Sequence, residues 1–577
     1  MNQRPKRICI IGAGISGLAS AYECAKKAQA LKEPVRIQIF ERSALVGGNA
    51  QTRVFSLGMP YDDKKLPGTD YFRWADMGVN DVNLTAYKRL EKAMRDIGYH
   101  DEDNACSSDT PKRLLPLENT ECYFTLDGSR TYTDDHELVY GVSNPRHALN
   151  QIEGGVLPAL YKIISDVALD TIYPGGDFSP GSEYLEITVA EFFSQLLEDP
   201  RCAFHKYAEE LRQIDPNWES PEGLEKLKSR VLFLRENQFY PRISAMYFAN
   251  EQGPEQMLLA APFHYYRVQE GAGGGKAKRR YFVGGSQKWI EYMADYLQKE
   301  MSNNSDFVDI SLELNADMQV TVGTDQVSVT YLNRDEPAEE IFDYAVMAVH
   351  ADDALRALKF SPEQTLYPQE LQVRKILEKI TYTQSVAVAH TYCGVLPKDR
   401  NAWRCYNVMI RDGVALKPYS MTYVCNRHQN DTQHPDYNRL GYPQFFITLN
   451  PQIPIPDECV LQQVSEKEIP VEFLPLIPRA TRRLAAQDSS TASTERKKCV
   501  TTFKHNLLNK DCFLAQQALQ EFHSSNTRLL LSGGWSLGAG LQEECFHQAE
   551  RIAERLFPSQ SECAKSADAE LAMLDDA

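Results

Sequence analysis

Gly12-Ala13-Gly14-Ile15-Ser16-Gly17 stands between an apolar run, Ile8-Cys9-Ile10-Ile11, and a helical pattern from Leu18 to Ala30. A second apolar run, Val35-Arg36-Ile37-Gln38-Ile39-Phe40, follows and is closed by Glu41. This is the strand–helix–strand order of a dinucleotide fold. Gly12 allows the tight turn, Gly14 lets backbone approach a pyrophosphate, and Gly17 lets the helix pack closely on the strand. The helix N-terminus faces the negative charge. An acid about twenty residues on accepts hydrogen bonds from a ribose, and Glu41 stands there.

Beyond Glu41 the chain reads Arg42-Ser43-Ala44-Leu45-Val46-Gly47-Gly48-Asn49-Ala50-Gln51-Thr52. A nicotinamide dehydrogenase does not need a glycine pair here. The pair suits a second close backbone approach to the same ligand, with Asn49 and Thr52 offering polar contacts. Gly12 to Gly17, Glu41 and Gly47-Gly48 together resemble the FAD signature of the flavin amine oxidase and phytoene desaturase superfamily. Later blocks narrow the resemblance: Asp76-Met77-Gly78-Val79-Asn80, Phe263-His264, Val283-Gly284-Gly285-Ser286, Val346 to Asp352, Ala402-Trp403, Tyr423 to Asn426 and Ile447 to Pro451. Their order is similar to that of a bacterial branch of NAD/FAD-binding, amine-oxidase-like proteins and covers most of residues 6–558. Relative to that branch, stretches around 56–72, 100–180 and 485–500 look inserted.

The resemblance implies an α/β architecture: a Rossmann-type FAD-binding domain of the glutathione-reductase-like, amine oxidase kind, with a discontinuous α+β substrate domain. It assigns 1–90, 270–360 and 500–558 to the first and 91–269 and 361–499 to the second. The cofactor is FAD, held without a covalent bond, since no cysteine falls where the superfamily's flavin link sits. Contacts implied are Gly12, Ala13, Gly14, Ile15, Ser16, Gly17, Glu41, Arg42, Gly47, Gly48, Asn49, Thr52, Met77, Gly78, Val79, Asn80, Met318, Ala348, Gly534, Leu541 and Gln542. Met77 to Asn80 would pass beside the isoalloxazine ring. Ser532-Gly533-Gly534-Trp535-Ser536-Leu537-Gly538-Ala539-Gly540-Leu541-Gln542-Glu543-Glu544 would close the site and open the last helix. The amides of Leu541 and Gln542 would then face the end of the flavin where negative charge develops. The family's His-Glu-Asp-Gly run is here Gln542-Glu543-Glu544-Cys545.

Composition sets the outer limits. The 577 residues allow two to four domains, and 43% hydrophobic with 24% charged residues is ordinary for a globular protein. A formal charge of -17 with no basic patch speaks against nucleic acid as a partner. Lys276-Ala277-Lys278-Arg279-Arg280 reads as a solvated loop, with peripheral membrane contact through it left open. No apolar run is long enough for a transmembrane helix. The 13 cysteines are scattered without a CxxC pair, which fits neither a disulfide framework nor a zinc site and suggests a cytoplasmic location.

Local patterns fill in the rest. Thr188 and Glu191 make a capping box that starts a helix through Leu197. Ser286 reads as the N-cap of a helix carrying Trp289, Met293 and Tyr296. Residues 326–332 alternate as a half-buried strand, and Tyr344 to Val349 reads as a buried one. Gln487 to Lys498 reads as a flexible loop, and 559–577 as a disordered tail. No pattern speaks to oligomeric state.

Three readings of function follow. A flavoenzyme would remove hydride from a C–N bond or from a carbon–carbon unit, as desaturases and fatty-acid isomerases of the superfamily do; alternatively, FAD is a structural ligand only. The amine oxidases' water-positioning lysine has no assignable position, which weakens the amine reading. His264 and Trp535 are the catalytic candidates beside the ring. Phe263, Tyr265, Trp403, Tyr406, Phe445 and Phe446 suggest a deep apolar pocket for a small-molecule, apolar or lipid-like substrate.

Overall fold

The computed structural model describes residues 4–57, 72–100, 113–128, 131–133, 156–174, 186–246, 253–270, 278–333, 336–361, 367–409, 420–431, 443–464, 497–525 and 527–558. The proposed tail, the core of the 487–498 loop and much of the inserted stretches lie outside them.

Five parallel strands make the central sheet, in the order Val308–Leu314, Val35–Glu41, Lys6–Ile11, Tyr344–Ala348, Leu529–Ser532. Side chains alternate between its faces, and both faces are covered, as a parallel sheet requires. Ile8, Ile10, Ile37, Ile39, Val346 and Leu530 pack under the helices Ile15–Leu31, Ser286–Asp295 and Gln542–Leu556. Cys9, Ile11, Ala345, Met347, Leu529 and Leu531 face the other way. That second face is covered by the antiparallel meander Met318–Val322, Val327–Asn333 and Glu336–Phe342 and by the helix Lys510–Ser524. Outermost in the sheet, Val308–Leu314 is an element the motif reading passes over. Its alternation of Val308, Ile310, Leu312 and Leu314 is the signal that marks it.

A seven-stranded mixed sheet forms the second body, in the order Val500–Asn506, Tyr382–His390, Phe446–Leu449, Ser420–Val424, Tyr406–Met409, Glu121–Phe124, Thr131–Thr133. Val500–Asn506, grouped by sequence with the dinucleotide-binding part, is hydrogen-bonded along its length to Tyr382–His390. A helical cluster, including Val156–Ile172, Val189–Glu198, Pro221–Leu234 and Ala260–Glu270, packs around Phe192, Phe193, Phe239 and Phe263. Its second helix begins with the Thr188–Glu191 capping box.

Two local expectations are corrected. Ser286 is the first helical residue rather than the cap, which is Gly285; its hydroxyl instead donates to Asp76. The basic run is not wholly a solvated loop, because Arg279–Phe282 is a strand and Arg279 is buried in a 2.6 Å ion pair with Asp81. Among the described residues no helix is long and apolar enough to cross a membrane.

Candidate cofactor site

Four glycine-bearing segments meet at the carboxyl edge of the parallel sheet. Gly12, at φ 105°, sits under the next strand, and a β-carbon there would lie 2.5 Å from the Ala348 carbonyl oxygen. A β-carbon at Gly17 would lie 1.9 Å from the Gly12 carbonyl, so the helix reaches its turn only without a side chain. Gly14 faces Gly48, and a β-carbon built on Gly14 would stand in ordinary contact 3.7 Å from the Gly48 Cα. The two turns are tied directly, Gly47 N donating to Ala13 O at 3.1 Å. The first turn of Ile15–Leu31 carries no acid, which leaves its amides and dipole available to an anion.

Glu41 ends its strand as expected and reaches back to the first turn. Its carboxylate accepts from Ala13 N at 2.8 Å and Ser43 N at 2.9 Å, one bond on each oxygen. Arg42 pairs with Asp353 at 3.5 Å. Met318 packs in the meander side of the core near Phe40 and Tyr331.

Thr52, Asp76 and Ser286 form a knot that the sequence does not announce. Asp76 Oδ1 accepts from Thr52 Oγ1 at 2.6 Å, Ser286 N at 2.9 Å and Ser286 Oγ at 3.0 Å. Gln287 adds bonds to Val46 O and Thr52 N. The carboxyl is buried, and Oδ2 has no partner among the described residues. Burial pushes its pKa up to about 7, against the pull of the three donors. Immediately beyond, Met77 N donates to Gln51 O, and a β-carbon at Gly78 would meet Asn49 O at 2.3 Å and the Phe503 ring at 3.1 Å. Asn49 and the Met77–Asn80 segment are thus brought together.

The last segment doubles back on itself. A β-carbon at Gly540 would lie 2.1 Å from Gly534 O. Gln516, on the helix Lys510–Ser524, clamps the loop: its Nε2 donates to Trp535 O and Gly538 O, and its Oε1 accepts from Gly538 N. Glu544 Oε2 accepts from Ala539 N and Leu541 N, so Leu541 is the cap and Gln542 the first residue of the final helix. Glu543 turns away and caps the helix Lys88–Asp96 through Arg89 N and Leu90 N. Cys545 Sγ receives the Ser16 hydroxyl at 3.2 Å, joining the N-termini of the first and last helices.

The two catalytic candidates occupy different surroundings. His264 is bracketed by Tyr173 Oη at 2.5 Å from Nδ1 and Glu544 Oε1 at 3.2 Å from Nε2, beside Gly538. Trp535 is buried in the core behind the sheet, its Nε1 donating to Val349 O. The six aromatics expected to line one pocket are dispersed. Phe263 belongs to the helical core, Trp403 packs on Phe446 in a small cluster, and Phe445 packs on Phe55. Phe263 belongs to the helices, while Phe445 and Phe446 are consecutive in sequence and pack in separate clusters of the seven-stranded sheet, a division that composition cannot distinguish.

With this geometry in hand, comparison with known proteins bears on the first turn. Residues 10–73 match the family described as NAD(P)-binding Rossmann-like domain. The chain carries a Rossmann-like domain. No curated protein matches it. Two solved structures of putrescine oxidase, a redesigned double mutant and the wild type bound to putrescine, each align at 13% identity over 96% of this chain and 100% of theirs. Their TM-scores are 0.47 and 0.45.

Proposed function

We propose that the chain is an FAD-dependent oxidoreductase that oxidises a C–N or C–C bond of an apolar or lipid-like small molecule by taking hydride from an adjoining C–H. The observation that carries the reading is the convergence of Gly12–Gly17, Gly47-Gly48, Met77–Asn80 and Gly533–Gly540 on one edge of the Rossmann-like sheet. Such a cradle fits FAD. An acid-free helix N-terminus and the side-chain-free Gly14–Gly48 approach suit the pyrophosphate, and Glu41 keeps lone pairs for a ribose. The contacts are those named from the sequence, with Leu541 and Gln542 offering the N-terminus of the final helix.

Bound FAD supplies the hydride acceptor; the protein supplies position and field. The final helix would stabilise negative charge at its N-terminus by a fraction of a kcal/mol up to about 2 kcal/mol. Glu544 and Gln516 hold the loop that presents that terminus, and His264 braces Glu544 from outside. The apolar preference rests on the core beside Gly78, where Phe55, Met77, Met421, Leu461 and Phe503 cluster. We place the FAD-binding part in 1–90, 270–360 and 500–558 and the substrate part in 91–269 and 361–499, with Val500–Asn506 pairing across that boundary.

Anaerobic bleaching of the flavin tests the reading, with panels of amines and of unsaturated fatty acids. Purified protein should be yellow, release free FAD on acid denaturation and bleach with a member of the apolar panel. A colourless protein that cannot be reconstituted overturns it. Flavin that no substrate reduces would favour FAD as a structural ligand.

A further inference from the structure

Beside the flavin-side segment lies a set of hydrogen-bond donors with nothing anionic to receive them among the described residues. The strand Thr52–Ser56 pairs with Phe72–Asp76, placing Arg53 opposite Ala75. Side chains alternate along it. Val54 joins Trp74 on one face, while Phe55 and Ala75 join Met77, Leu461, Cys499 and Phe503 on the other. Arg53 shares the second face. Its guanidinium donates only to neutral oxygens, Thr52 O at 3.3 Å and Gln51 Oε1 at 2.8 Å, and no carboxylate pairs with it among the described residues. Asp76, the acid closest along the pairing, sits opposite Thr52 and is committed to Thr52 and Ser286. Desolvation pulls the Arg53 pKa down.

Two further polar groups approach the same interior. Gln463 bridges to Phe55, is 6% exposed, and its Nε2 has no partner among the described residues. Thr501, 8% exposed, lies between the inward-facing Cys499 and Phe503, and its hydroxyl also has no partner. Phe503 is the ring that Gly78 abuts. A half-buried cation without a counter-charge and a buried amide N–H without an acceptor are each costly, and both are relieved by one acceptor-rich anion.

We propose that Arg53, Gln463 and Thr501 form an anion-binding subsite that takes the carboxylate of a substrate whose body is apolar. A guanidinium offers a planar fork that matches a carboxylate, and the amide and hydroxyl supply further donors. The surrounding Phe55, Met77, Leu461 and Phe503 suit the apolar body. The assignment rests on the proposed function for the position of the reacting end beside Gly78. The shared chemistry is an anionic oxygen group, and a phosphate of the cofactor is the other source.

Isothermal titration calorimetry on the full-length protein, with dodecanoate, dodecanol and inorganic phosphate as probes, separates these. Wild type should bind dodecanoate, and Arg53→Gln should weaken it by about 30-fold while leaving dodecanol affinity and flavin content unchanged. Gln463→Leu and Thr501→Val remove unsatisfied buried groups, so they should fold at least as well as wild type and still weaken dodecanoate several-fold. Equal losses for dodecanoate and dodecanol, or no binding of dodecanoate by wild type, overturn the proposal. Loss of flavin from Arg53→Gln, or preference for phosphate, assigns the anion to the cofactor and overturns it too. Calorimetry reads carboxylate binding whether or not the flavin can be reduced, so its failure is distinct from failure of the oxidoreductase reading.

Discussion

The first glycine turn, Gly12–Gly17, and the last, Gly533–Gly540, serve one edge of one sheet but are held by different means. In the first, the backbone itself is the main constraint. Gly17 touches the Gly12 carbonyl and Gly12 touches Ala348, while Glu41 and Cys545 reach in from side chains. In the last, side chains from elsewhere do the holding: Gln516 from the preceding helix, Glu544 from the following one, and His264 behind Glu544. A turn fixed by backbone contact can be read from spacing. One fixed by distant side chains cannot.

That contrast makes Gly17→Ala the severest single change. The new methyl would stand 1.9 Å from a carbonyl oxygen that is part of the chain's own turn, and neither can move without opening the sheet. Overpacking of this kind costs about 3 kcal/mol or more. Chemical denaturation should show that loss, and the purified variant should lack flavin. Wild-type stability in this variant would break the claim that the first turn is held by backbone contact.

Asp76→Asn addresses the knot between the two turns, and its effect depends on pH. The carboxyl titrates near 7 when folded, above its ordinary value of 3.8. The folded state therefore holds the proton more tightly, and this contribution is fully present below about 3.8 and lost as pH rises through 7. Asparagine keeps the Oδ1 acceptor and does not titrate. Thermal melts from pH 4 to 8 should show the variant gaining on wild type by an amount on the order of a few kcal/mol. A constant difference across that range would mean that the carboxylate is already ionised in the fold.

For the last turn, Gln516→Leu removes the clamp and leaves two carbonyls and one N–H of the loop without their partner. Unmet buried groups cost about 1–3 kcal/mol. Here the loss should appear as faster flavin release more than as unfolding, because Gln516 bonds the loop and not the sheet. Stopped-flow dissociation of FAD checks it, and an unchanged release rate would separate the clamp from the cofactor.

Legibility in the sequence follows the same division. The two strands around Gly12–Gly17, the second of them ending at Glu41, the capping box at Thr188 and the buried strand Tyr344–Ala348 all rest on local period or local turn chemistry, and each is where its residues imply. Gln516 was not legible, because nothing distinguishes a glutamine on an amphipathic helix until the loop 19–22 residues later folds over it. Asp76 closes an apolar strand, and its role needs Thr52 and Ser286, the latter 210 residues away. Arg279 looks solvated in a run of basic residues, yet its strand turns it inward to Asp81. The six aromatics show the converse: their type predicts burial, not which core receives them.

Gly534→Ala isolates the smallest effect and sharpens the comparison most. A β-carbon there would stand 3.7 Å from Gly540 Cα and O, an ordinary contact, so the loop has room for it. Stability without cofactor should stay within about 0.5 kcal/mol of wild type, as for substitutions that meet no special constraint. Gly12 and Gly17 could not pass such a test, since their missing β-carbons are excluded by the protein itself. If Gly534 is nevertheless glycine because FAD lies against it, the same methyl should weaken FAD binding, by about 1 kcal/mol or five-fold for a modest overpacking. Titration of FAD into the apoprotein, set beside a melt of that apoprotein, reads the two quantities separately. A methyl that changes neither would leave Gly534 without a role at the cofactor, and the last turn would then present only its helix terminus to the flavin.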